Sequence, residues 1–108
     1  MLRARAPAHE YGWHVTMRLC VLLWPYPGKE GSLIRYEDQV LSLVAEHGGT
    51  VCSRDQVLRE SDTDPLEVQR INFPDAQALD AFMTDPRRVR LENERADSIA
   101  RTDVLRLE

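Results

Sequence analysis

Arg70 and Asn72 alternate with Ile71 and Phe73. At the period-two spacing of a β-strand, this puts a guanidinium and a carboxamide on one face and apolar side chains on the other. Arginine does not deprotonate in proteins, so a buried one must meet a carboxylate, several carbonyls or an anionic ligand. Arg70 therefore has two readings: an ion pair across a subunit contact, or an anchor for a substrate carboxylate or phenolate. The alternative face assignment turns Glu67 and Gln69 inward instead, and either way the interior is partly polar. His47 is the candidate acid or base, because an imidazole titrates near neutrality. It also directly precedes Gly48-Gly49, where a histidine meets the dipole and the free carbonyls of a helix end. Trp24 and Tyr26 flank Pro25 and can rim a pocket for an apolar or aromatic ligand, or simply pack in a core or interface.

Other chemistries are not expected. Lys29 follows Gly28, but the stretch lacks the spaced glycines and the Ser/Thr after lysine that cradle a phosphate. No nucleophile-elbow signature is present. His9 and His14 have no cysteine or carboxylate cluster at ligand spacing, so neither a metal nor a cofactor is expected. A net charge of −4 argues against nucleic acid as the main partner. No apolar run reaches eighteen residues, so no membrane span is expected. Arg3 and Arg5 are not followed by the apolar core of a signal peptide. Arg18 and Arg54, with Asp55 and Asp103 as possible partners, read as rim salt bridges.

The elements that must position these groups follow from hydrophobic period. Val15 to Trp24 reads as a strand apolar on both faces, ended by Pro25 and Pro27. Ser32 to His47 reads as a helix, with Ser32 as its N-cap and the two glycines as its stop. Thr50 to Arg59 is the second strand and Leu66 to Phe73 the third. Asp75 caps a short helix through Met83, and Asp85-Pro86 opens a polar helix running to about Ala96. Ile99 to Leu107 is the fourth strand. The order is βαββαβ, the ferredoxin-like α+β arrangement, with a four-stranded antiparallel sheet in spatial order 4-1-3-2 and helices on one face. With 108 residues the chain makes one domain, 15–108, preceded by a tail, 1–14. Cys20 and Cys52 fall on strands one and two with strand three between them. At roughly 9.6 Å they are too far apart for a disulfide and are expected reduced, which fits a cytoplasmic protein.

Helices on one face leave Cys20, Leu22 and Trp24 on the other. A face this apolar marks an interface, and its simplest partner is a second copy of the chain, giving a homodimer.

Leu22-Leu23-Trp24-Pro25, Tyr36-Glu37 in a helix ending His47-Gly48-Gly49, Glu67-Val68-Gln69 leading to Phe73-Pro74, and Met83-Thr84-Asp85-Pro86-Arg87 together resemble the dimeric α/β-barrel superfamily. The chain is similar to its antibiotic-biosynthesis-monooxygenase-like members and to small bacterial relatives of unassigned function. The resemblance spans about Met17 to Leu107. It implies two ferredoxin-like sheets packed face to face, with a pocket between sheet and helices or inside the barrel. Members of that superfamily range from cofactor-independent oxygenases to plain ligand-binding proteins, and fold does not choose among them. Three readings stand open: a homodimer binding a small, mostly apolar or aromatic molecule; a cofactor-independent monooxygenase-like enzyme using Trp24, Asn72 and Arg70 on an aromatic or polyketide-like substrate; and a structural or regulatory dimer without a ligand.

Overall fold

The computed structural model describes residues 16–108. The expected tail, with His9 and His14, and Val15 at the expected start of the first strand lie outside the described residues. β1, Met17–Pro25, has an odd-numbered face of Met17, Leu19, Val21 and Leu23 that packs into the core. Its even-numbered face carries Arg18, Cys20, Leu22 and Trp24. Pro25, which has no N–H to donate, closes the strand at a register shift against the fourth strand.

Gly28 turns the chain at φ 79°, and the Lys29 N–H donates to Tyr26 O at 2.9 Å. That turn starts α1, Glu30–Leu41, two residues before the expected Ser32 cap. Lys29 occupies the cap position, and the Ser32 hydroxyl accepts from Arg35 instead. α1 also stops short of His47. After Leu41 the chain tightens, with Ser42 Oγ donating to Gln39 O at 2.6 Å, and passes into a 3-10 turn, Ala45–His47. Leu43 and Val44 remain buried, so the apolar stripe outlasts the α-helical geometry. Gly48 follows at φ 76°. At Gly49 a Cβ would sit within 2.8 Å of both Val44 and Phe73, so only glycine lets the chain pass here.

β2, Thr50–Gln56, is shorter than expected. Val57 still donates to Leu66 O, but Leu58, inside the expected strand, is 95% exposed. A register shift between Val51 and Ser53 leaves Cys52 exposed. β3, Glu67–Phe73, leads to Asp75, whose side chain accepts from the Ala78 N–H and caps α2, Ala76–Met83. Asp85 accepts from the Arg87 N–H and caps α3, Pro86–Val89. The expected single polar helix is two pieces, because the chain turns at Arg90 and Leu91 and Leu91 packs on the core before α4, Glu92–Ser98. β4 is Ile99–Leu107.

The sheet order is β2-β3-β1-β4 and every ladder is antiparallel. This is the expected ferredoxin-like arrangement. Both cysteines are free, with β3 lying between their strands. All helices among the described residues lie on the face of Leu19, Leu23, Ile71 and Phe73. There the core forms two clusters, one around Phe73, Val44 and Phe82, the other around Leu23, Leu33 and Tyr36. Burying each such side chain contributes about 1.5–3 kcal/mol. No helix among the described residues is long and apolar enough to cross a membrane.

Candidate functional site

Between sheet and helices lies a cavity of about 350 Å³. Its floor is the odd-numbered face of β1 with Ile71 and Phe73, and its roof includes Val40, Leu79 and Phe82. Five polar side chains interrupt the apolar wall: Glu37, Gln69, Arg88, Arg95 and Thr102.

Glu37 follows from the helical period. It sits four residues after Leu33 and three before Val40, in the middle of the α1 stripe, and is therefore buried with them. Gln69 and Glu67 share a face with Ile71 and Phe73, which turns them to the helices. Buried polar groups need partners, and here they form a chain. Gln69 Nε2 donates to Glu37 Oε1 at 2.7 Å and to Glu67 Oε2 at 2.6 Å. Arg54 grips Glu67 through Nε and Nη2 at 2.8 and 3.2 Å, and its Nη1 donates to Asp38 at 2.6 Å. Arg54 thus pairs with Glu67 and Asp38 rather than the expected Asp55. The expected partner Asp103 is held by Arg101, while Arg18 donates to the backbone carbonyl of Glu108.

Burial raises the Glu37 carboxyl above the ordinary carboxylate range. Gln69's hydrogen bond opposes this, neighbouring Glu67 adds to it, and Arg54 and Arg88 pull it down. A folded-state pKa above the unfolded one means the native state holds its proton longer. The resulting stability is present below about pH 4.3 and is lost as pH rises through the folded value. Glu37→Gln keeps the acceptor for Gln69 and removes the titration. Its Tm is expected to exceed the wild-type Tm at neutral pH, with the gap closing near pH 4. A gap independent of pH in melting curves would refute the assignment.

The candidates read from the sequence lie elsewhere. Arg70 and Asn72 are on the sheet face away from the helices, opposite Cys20 and Arg18 respectively. Arg70 is exposed in the single chain, and nothing among the described residues covers that face. Trp24 is on the same open face, four residues along β1 from Cys20 and so roughly 13 Å from Arg70. Its Nε1 donates to Thr63 O at 3.0 Å, and the Arg101 guanidinium stands 4.4 Å from its ring. Trp24, Asn72 and Arg70 do not converge within one chain. Tyr26 is exposed beyond the strand end. His47 bonds Asp85 Oδ2 at 2.8 Å and stands edge-on behind Phe82, outside the cavity wall. Arg87 joins the same carboxylate, and these two partners hold Asp85 far below the usual carboxylate range. His47 therefore fastens the end of the first crossover to the cap of α3. Glu37 was not singled out as a site residue in the sequence, though its place in the apolar stripe is a signal that could have found it. Arg88 and Arg95 gave no such signal, since they fall in what reads as one polar helix.

Among the described residues no group of His, Cys, Asp and Glu could hold a metal ion. Neither a family model nor a curated protein matches the chain. Solved structures do. A dimeric protein of unknown function with a ferredoxin-like fold from Bacteroides fragilis is 11% identical, with a TM-score of 0.65, covering 86% of this chain and 95% of that one. A dabb family protein with a ferredoxin-like fold from Mesorhizobium loti is 12% identical, with a TM-score of 0.64, covering 86% and 95%. A protein named for antibiotic biosynthesis monooxygenases from Bacteroides thetaiotaomicron is 10% identical, with a TM-score of 0.67, covering 90% and 91%. These likenesses establish the fold. The chain is a ferredoxin-like α+β domain of the kind they share.

Proposed function

We propose that the chain binds a small, mostly apolar or aromatic molecule in the cavity between sheet and helices, and that it works as a homodimer joined through the open sheet face. The observation that carries the binding reading is the cavity itself. About 350 Å³ is within the usual range of small-molecule sites, and the wall is apolar with a few converging polar groups. Dimerisation is supported by the half-buried Cys20, Leu22 and Trp24 and the 53% exposed Leu105 on one face, and by the dimeric state of the Bacteroides fragilis protein.

Leu79 borders the cavity from α2. Leu79→Trp fills part of the space and is expected to reduce uptake of the neutral fluorescent probe N-phenyl-1-naphthylamine at least tenfold, with the circular dichroism spectrum unchanged. Equal uptake by variant and wild type, or none by wild type, would remove the binding reading.

Glu37 favours catalysis as a second reading. A carboxyl in an apolar cavity, oriented by Gln69 and raised toward neutrality, is equipped for proton transfer, which is worth about 10²–10⁴-fold in rate. The monooxygenase-like alternative through Trp24, Asn72 and Arg70 draws no support from the cavity, since none of the three lines it. A ligand-free role would require the cavity to stay empty in the presence of the probe.

A further inference from the structure

The charges around the cavity do not balance. Glu67 is matched by Arg54, which is itself shared with Asp38. Arg59, Arg87 and Arg101 also have a carboxylate within 4 Å. The two cavity-lining guanidiniums have none among the described residues. Arg88 lies 5.3 Å from the Phe82 ring centroid and reaches only the Met83 carbonyl, at 3.3 Å. Its Nε is buried with no hydrogen-bond partner. Arg95 donates to Thr102 Oγ1 at 3.1 Å and to no carboxylate. Glu92 and Glu94 on α4 are exposed and beyond ion-pair distance. The carboxyl left to face these two cations is Glu37, which burial holds toward its neutral form.

A guanidinium turned into an apolar cavity with an unpaired donor is costly unless something anionic meets it. Two guanidiniums lining one cavity can take both oxygens of a carboxylate by charge-assisted hydrogen bonds, the strong kind. We infer that the cavity's ligand is a small organic acid, with its carboxylate received by Arg88 and Arg95 and its apolar body laid along Leu19, Ile71 and Phe82. This rests on the reading of the cavity as a ligand site.

The test uses a shape-matched pair, 2-naphthoic acid and 2-naphthamide, titrated by calorimetry at pH 7 into the wild type, Arg88→Met, Arg95→Met and Arg70→Met. The acid is expected to bind wild type at least tenfold tighter than the amide. Arg88→Met and Arg95→Met are each expected to weaken the acid at least tenfold while changing the amide less than threefold. Should Arg88→Met fail to fold, Arg95→Met and Arg88→Lys carry the test. The lysine variant is expected to keep a reduced preference for the acid, because it keeps the charge and loses the fork. Equal binding of acid and amide by wild type would overturn the acid class and leave the cavity reading standing. An acid preference lost in Arg70→Met and kept in both cavity variants would place the anion on the open face and overturn the inference. Binding of neither compound would overturn it together with the cavity reading.

Discussion

Arg54→Met should lower stability by about 3 kcal/mol, the lower end of the range for stripping the partner from a buried charge. Glu67 is fully buried, so without Arg54 its carboxylate keeps only the Gln69 amide. The lower end applies because the arginine side chain is 27% exposed, and water already screens part of the pair. For a chain this size, that loss corresponds to a Tm drop of roughly 12–24 °C. The partner variant separates the pair from its parts. Glu67→Leu in the Arg54→Met background removes the orphaned acid and should recover most of the loss. A double-mutant cycle in urea measures the coupling. A drop below about 1 kcal/mol for Arg54→Met alone would mean the network contributes little.

Leu22→Lys should have the largest effect on assembly. Leu22 lies on the open face, across from Val68 on β3 and Asp103 on β4, with Cys20 and Trp24 on the same face. No helix among the described residues touches that face, so the substitution leaves the core intact. It places an ammonium where two sheets would exclude water, at a cost of several kcal/mol. Light scattering should give about 25 kDa for wild type, twice the chain mass of 12.4 kDa, and a monomer for Leu22→Lys at micromolar concentration. Leu22→Met should remain dimeric. A wild-type monomer at that concentration would end the homodimer proposal.

The fold was legible because its signals are local. β1 shows period-two alternation, Asp75 and Asp85 are caps read from residue type, Gly48-Gly49 ends the first crossover, and element order dictates the strand order. Boundaries shifted where backbone turns overrode side-chain signals. Gly28 started α1 before Ser32 could cap it, and the tightened turn at Ser42 ended it early. The site was less legible because its groups come together only through tertiary structure. Glu67 and Gln69 share one face of β3 with Ile71 and Phe73, while Arg70 and Asn72 hold the other, so both faces carry polar groups and two inward faces are possible. The choice is made by Glu37 on α1 and Arg54 on β2, which supply the partners that let the polar pair be buried. Arg88 and Arg95 lie in helices of four and seven residues, too short to show a stripe. Arg70 attracted notice by alternation, but alternation alone does not say which face the helices cover.

The strand order also governs how fast the molecule can assemble. Only β2 and β3 are neighbours both in the sheet and along the chain. β1, at the centre of the sheet, pairs with β3 and β4, so Leu23 meets Glu67 and Arg18 meets Leu107. Joining these partners closes long loops, and that entropy is lost before most of the contacts that offset it have formed. Mixed topologies of this kind fold more slowly than helical bundles and faster than all-β barrels. If the β1–β4 ladder closes after the rate-limiting barrier, weakening it will leave the folding rate nearly unchanged and hasten unfolding. In that case the protein owes its persistence in the native state to the last pairing it makes.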